Sequence, residues 1–221
     1  MQKIDKSNLL STVYKNWEEK MGDTHTPYNS SNNPFYYDVV MNLLHCQRGV
    51  CAYTEIFLCD DNFYDPAQWK DGKYQVAKPE FSGVLDHFDS KLKKKQGWSY
   101  DNFFVVQKDI NDKHKGSQPV DAILKPDNPD YDPFKLLEYD SESHIFIANT
   151  ILNESLQMRI NKMLLTLGIN LSWVVRKRKY HLRKIVEAVN FGNTWEQENK
   201  NSHQFFTSFA MIRTEKERYN S

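Results

Sequence analysis

The side chains with the most chemistry to offer are Asp86 and His87, adjacent in the chain, followed by Asn102 and then Asn111. Apolar residues bracket each of them: Leu85 and Phe88 flank the first pair, Phe103 and Phe104 follow Asn102, and Ile110 precedes Asn111. A carboxylate and an imidazole at the end of a strand, an amide closing a loop and a second amide opening a helix can converge on one small volume. Hydrolysis of a phosphodiester requires a nucleophilic water, neutralisation of the non-bridging oxygens and stabilisation of the departing oxygen. His87 is the expected general base, because an imidazole titrates near neutral pH. Asp86 and Asn111 offer hard oxygens suited to one Mg²⁺ or Mn²⁺ ion, with positions left for phosphate and water. Asn102 is expected to fix the tautomer or orientation of His87, or to brace the loop that carries it.

Each of these residues also has a plain structural use. An Asp-His pair occurs in ordinary turns, Asn102 after Asp101 suits a turn, and Asn111 suits a helix N-cap, a role compatible with metal ligation. Only the set as a whole, and no one member of it, points to this chemistry.

The elements that must position this set follow from periodicity. Ser7 to Met21 has Leu9, Leu10, Val13 and Trp17 at helical spacing with Ser7 as the expected N-cap, and reads as a surface helix. Gly22 to Asn33 has loop composition, and a second helix is expected after Pro34 with Tyr37, Val40, Met41 and Leu44 on its apolar face. Residues 50–125 change character, with short apolar pieces at Val50 to Phe57, Phe81 to Leu85 and Asn102 to Val106. An acidic, proline-spaced connector, Pro126 to Pro133, leads to a hairpin from Lys135 to Tyr139 and His144 to Ile147, turning over Asp140 to Ser143. Helices are expected after Asn153, from Ser172 to about Val189, and from Ser202 to Arg218. The expected class is α+β, divided into an N-terminal helical region 1–49, a core 50–125 and a C-terminal region 126–221 of connector, hairpin and helices.

Composition bounds the function classes. With 29 basic and 29 acidic residues the 221-residue chain is formally neutral, so any case for nucleic acid must be local. Hydrophobic residues at 39% and aromatics at 14% supply a core despite a mean hydropathy of -0.73. No apolar run approaches the roughly 20 residues of a membrane span. The charged opening segment and three cysteines, Cys46, Cys51 and Cys59, which cannot all pair with one another, lead to the expectation of a reduced, cytoplasmic protein.

The triplet His87, Asn102, Asn111 resembles the HNH endonucleases, over roughly Cys51 to Gly116. The wider frame is similar to the PtuB branch of that family: Cys51-Ala-Tyr-Thr-Glu55, Leu85-Asp-His-Phe-Asp-Ser-Lys91, Trp98 with Asn102-Phe-Phe, Asn111 with Lys115-Gly116, Ile123-Leu-Lys-Pro126 and Leu136-Leu-Glu-Tyr-Asp140. The resemblance implies a ββα-metal core with N- and C-terminal helical additions. It also implies a bacterial effector nuclease of the Septu or retron-associated anti-phage systems, working with a PtuA-like ATPase. Many relatives hold a structural zinc between two Cys-x-x-Cys pairs. Here Thr54 replaces the second cysteine of the first pair, and Gln107 and Ile110 stand where the other pair would be. Four ligands are needed to close such a site, so no structural zinc is expected. Tyr53, Phe57, Phe103 and Ile110 are expected to pack in its place.

Local charge supports a nucleic-acid partner, DNA with RNA not excluded. Lys91, Lys93, Lys94 and Lys95 lie between His87 and Asn102, while His114 and Lys115 follow Asn111 by about a helical turn. A second basic run, Arg176 to Lys179 with Arg183 and Lys184, suits a solvated face or a partner surface equally. Trp98 and Tyr100 are expected to pack rather than to stack on bases. Two rival readings stand beside the nuclease: a non-catalytic HNH-like scaffold, and a homing or restriction-type nuclease, for which the sequence offers no helix-turn-helix or finger pattern to read DNA.

Overall fold

The computed structural model describes residues 1–22, 25, 27–29, 33–201 and 203–219. The protein is α+β, with more helix than strand and small two-stranded antiparallel sheets. It divides into two compact units: Ile4–Ala52 with Leu58–Val120, and Met1–Lys3 with Tyr53–Phe57 and Asp121–Ser221. The first two helices thus belong to the same unit as the strands that carry the candidate residues. Among the described residues no helix is long and apolar enough to cross a membrane.

The unit containing residues 58–120 holds α1 (Thr12–Met21), α2 (Tyr36–Cys46), α3 (Asp61–Tyr64), β1 (Trp69–Lys70), β2 (Lys73–Tyr74), β3 (Gly83–His87) and β4 (Phe103–Gln107), then one turn of π-helix at Ile110–Lys115. α1 begins five residues after the expected cap. The Ser7 amide is already bonded to Asp5 Oδ1 at 2.8 Å, and the Ser11 hydroxyl donates to the Asp38 carbonyl at 2.9 Å instead of capping its own helix. Nor is α1 only a surface helix, since Tyr14 and Glu18 on it are buried. α2 is buried along nearly its whole length: Val39, Val40, Met41, Leu43 and Leu44 are fully enclosed, whereas Tyr37 is 38% exposed and lies off the apolar face assigned to it. The helix ends at Cys46, and Arg48, with a φ of 56°, turns the chain so that the amide of Gly49 reaches the Leu44 carbonyl at 2.9 Å. A Cβ on Gly49 would run into the Cys59 carbonyl.

β3 pairs with β4 from Gly83↔Gln107 to His87↔Phe103. Leu85, Phe103, Phe104, Val105 and Val106 are buried, which explains the unbroken apolar run in β4. The buried Gln47 closes the outer edge of β4: its amide donates to the carbonyls of Val50 and Val105, both at 2.8 Å, and accepts from the Val105 amide at 2.9 Å. Val50 to Phe57 is not the extended piece expected. It turns at Ala52–Thr54, and Glu55 has a φ of 59°, which a strand cannot hold. The loop expected over residues 22–33 lies in large part outside the described residues.

The other unit holds α4 (Pro133–Leu136), β5 (Leu137–Asp140), β6 (Ile145–Ala148), α5 (Glu154–Thr166), α6 (Ser172–Asn190), α7 (Trp195–Asn201) and α8 (Phe206–Tyr219). The hairpin forms where its period and turn predict. Asp140 Oδ1 accepts from the amides of Glu142 at 2.9 Å and Ser143 at 3.3 Å, closing the turn. Its first strand starts two residues late because Asp132 caps a short helix through the Phe134 amide. Asn153 caps α5 through the Leu156 amide at 3.0 Å. The last helix expected is α8, preceded by α7; Ser202, its expected first residue, lies outside the described residues. The buried Glu55 carboxylate accepts from the Thr207 amide at 3.1 Å, supplying an acceptor at the start of α8 that the local sequence lacks. Leu182, Ile185, Phe209 and Ile212 form an apolar cluster with Tyr139, Val186 and Trp195 packed on it.

Candidate active site

Asp86 and His87 end β3, opposite Phe104 and Phe103 of β4, and both are buried at 3% and 5% exposure. Pairing continues one residue further, with the Phe88 amide donating to the Asn102 carbonyl at 2.7 Å. The Asn102 side chain then clamps the next residue from both sides: its Oδ1 accepts from the Asp89 amide at 2.8 Å and its Nδ2 donates to the Asp89 carbonyl at 3.0 Å. Of the two roles expected for Asn102, the geometry gives it the bracing one. Asp89 is occupied locally as well, its carboxylate accepting from the Lys91 amide at 3.0 Å to open the 3₁₀ turn Ser90–Lys94.

The orientation of His87 is set by another group. Its Nε2 lies 2.9 Å from the Gly97 carbonyl. A carbonyl only accepts, so the neutral ring carries its proton on Nε2 and its basic lone pair on Nδ1. Edge-on packing against Phe103 at 4.7 Å and Tyr28 at 4.8 Å fixes the ring plane. Burial pushes the imidazole pKa down to about 4, with the Lys93 and Lys115 charges adding to the effect and the Gly97 bond opposing it. His87 is therefore neutral at physiological pH, and it titrates below the near-neutral range from which its role as a base was expected.

Asp86 meets a cation supplied by the chain. Lys115, fully enclosed, places its Nζ 3.0 Å from Asp86 Oδ1 and 2.7 Å from the His87 carbonyl. This ion pair ties the Ile110–Lys115 turn, which carries Asn111, to the end of β3. The sequence reading placed Lys115 among the nucleic-acid contacts; its ammonium is instead buried against Asp86 and has no surface to offer a phosphate. The signal for this role was thin: a lysine one turn beyond Asn111, just before Gly116 with its φ of 48°.

Asn111 is half-buried, and its Nδ2 donates to Asp112 Oδ1 at 3.2 Å; it makes no hydrogen bond to Asp86 or His87. It lines an open groove of about 550 Å³ with Ser90, Lys91, Lys93, Asp112 and Gly116. Two of the expected lysines therefore face the same space as Asn111. Lys94 and Lys95 are exposed but do not line it, and His114, half-buried, accepts from Gln118 through its carbonyl. Trp98 and Tyr100 are buried, at 0% and 3% exposure, as packing residues.

Cys46, Cys51 and Cys59 are free thiols, and among the described residues no three His, Cys, Asp or Glu side chains gather as metal ligands. Tyr53, Phe103 and Ile110 are each buried, whereas Phe57, also expected to pack, is 45% exposed. No protein-family model matches this chain, and no curated protein matches it.

Proposed function

We propose that this chain is a metal-dependent endonuclease of the HNH type, with β3, β4 and the Ile110–Lys115 turn as its ββα-metal core and helices added on either side. The observation that carries the proposal is the fixed tautomer of His87: a buried, neutral imidazole whose Nε2 proton is committed to the Gly97 carbonyl, leaving Nδ1 as a base.

In this reading His87 Nδ1 takes the proton of the water that attacks phosphorus. Asn102 holds the chain after His87 in place through its two bonds to Asp89. Lys91 and Lys93 along the groove bind the phosphate backbone without reading sequence. The donors offered to one Mg²⁺ or Mn²⁺ are the Asp86 carboxylate, which would exchange the Lys115 ammonium for the ion, and Asn111 Oδ1, which accepts no hydrogen bond among the described residues. Two protein oxygens suit an ion that keeps several waters. When bound, the ion would polarise the phosphate and stabilise the departing oxygen. Chain neutrality gives weak grip on nucleic acid by itself, which supports a PtuA-like ATPase as the partner that presents the substrate, DNA or RNA.

One observation favours the scaffold reading: the Lys115 ammonium already satisfies Asp86. Cleavage separates the two. The full chain, with and without the ATPase, is incubated with plasmid DNA and with RNA in Mg²⁺ or Mn²⁺. His87→Ala is expected to cut about 100-fold more slowly or worse. Equal cutting by the variant and the parent overturns the assignment, as does absence of metal-dependent cutting by the parent under every condition.

A further inference from the structure

The two edges of the β5–β6 hairpin are treated differently. Beyond β6, Asn170 accepts from the Phe146 amide at 2.9 Å and donates to its carbonyl at 2.6 Å, and Asn161 accepts from the Ala148 amide at 3.2 Å. The main chain of Phe146 and Ala148 thus points away from β5. In an antiparallel pair, residues directly opposite one another turn their main chains both inward or both outward. Tyr139, opposite Phe146, and Leu137, opposite Ala148, therefore face outward from β5. The Leu137 amide is used by the Pro133 carbonyl. The Leu137 carbonyl and both main-chain groups of Tyr139 have no partner among the described residues.

This open edge borders a groove of about 560 Å³, walled by β5 and Phe134 on one side and by Met211, Thr214 and Glu215 of α8 on the other. Phe134 is 52% exposed. The charged residues of the wall, Glu138 and Glu215, are both acidic; one Glu138 oxygen, Oε1, accepts from the Thr150 amide at 2.9 Å and hydroxyl at 2.8 Å, and Lys135 is paired with Asp132.

We infer that this groove takes an extended segment of a partner protein, added as a third strand on β5 and carrying lysine or arginine beside an apolar residue. Tyr139 supplies the donor and Leu137 and Tyr139 the acceptors for strand pairing; Glu138 and Glu215 select the basic side chain, and Phe134 and Met211 the apolar one. A second copy of this chain is the weaker occupant, because pairing β5 with β5 sets those carboxylates against their own counterparts. The inference does not depend on the nuclease reading.

The test uses the full chain, a heptapeptide of alternating valine and lysine, and its valine and glutamate counterpart, followed by amide spectra and hydrogen exchange. The lysine peptide is expected to slow exchange at the Tyr139 amide where the glutamate peptide does not. Glu215→Lys, at an exposed position, should weaken the lysine peptide about threefold and leave the spectrum of the free protein otherwise unchanged. The inference is overturned by a Tyr139 amide that neither peptide protects, by equal protection from both, or by protection that rises with protein concentration alone, which marks self-pairing.

Discussion

Lys115 and Arg178 are both enclosed cations, one in each unit, and they are held differently: Lys115 is hydrogen-bonded to a carboxylate, whereas Glu55 acts on Arg178 through its charge and the hydrogen bonds go to carbonyls. Lys115 lies against a carboxylate, Asp86, and one carbonyl. Arg178 donates to two carbonyls, those of His144 and Ile169, each at 2.8 Å, and lies 4.8 Å from the Phe146 ring. A cation held by carbonyls and an aromatic face joins pieces of chain, and its guanidinium geometry cannot be swapped for a point charge. A cation held by a buried carboxylate balances a charge, and any other cation of suitable size can do the same. The first arrangement is architectural; in the function proposed above, the second is where the metal ion would take the place of the ammonium.

Substitutions can break this contrast. Lys115→Met removes the partner of a buried carboxylate and should cost about 3–5 kcal/mol in urea unfolding; in millimolar Mn²⁺ part of that loss should return. If Mn²⁺ restores nothing, Asp86 is not an exchangeable cation position. Arg178→Met leaves two carbonyls unbonded and should cost about 2 kcal/mol, with no recovery in Mn²⁺.

Smaller effects sharpen the picture around His87. Asn102→Ala loses both bonds to Asp89 and should cost about 1–2 kcal/mol while slowing cleavage, since the loop after the base loosens. The pH dependence has a defined sign. Between the ordinary histidine value of 6.5 and about 4, the unfolded chain binds a proton that folded His87 refuses, so acidification through that window destabilises the fold. Above the window His87 contributes no pH dependence. The urea midpoint should fall more steeply from pH 7 to pH 5 in the parent than in His87→Gln; parallel slopes would mean that the imidazole titrates normally.

The parts of the molecule legible in the sequence were those decided by local rules. The hairpin at 137–148 announces itself through period and an Asp-led turn, α5 through its Asn153 cap, and the β3 and β4 pieces through apolar runs that end on polar residues. What was missed depended on distant partners. Ser7 looks like a cap but α1 begins at Thr12, after a Ser11 whose hydroxyl serves Asp38; Val50 to Phe57 looks extended but turns at Glu55, and Arg178 sits in a basic run yet is 1% exposed. Lys115 is the sharpest case: within Lys-His-Lys-Gly nothing local distinguishes the lysine that is buried from the one that is solvated. Burial there is a decision of tertiary structure, made by Asp86 twenty-nine residues away.

Calorimetric titration of Mn²⁺ into the parent, Asp86→Asn and Asn111→Ala tests the central claim most directly. The account predicts saturable binding of one ion by the parent, abolished in Asp86→Asn and weakened in Asn111→Ala. Identical heats from all three proteins would contradict it.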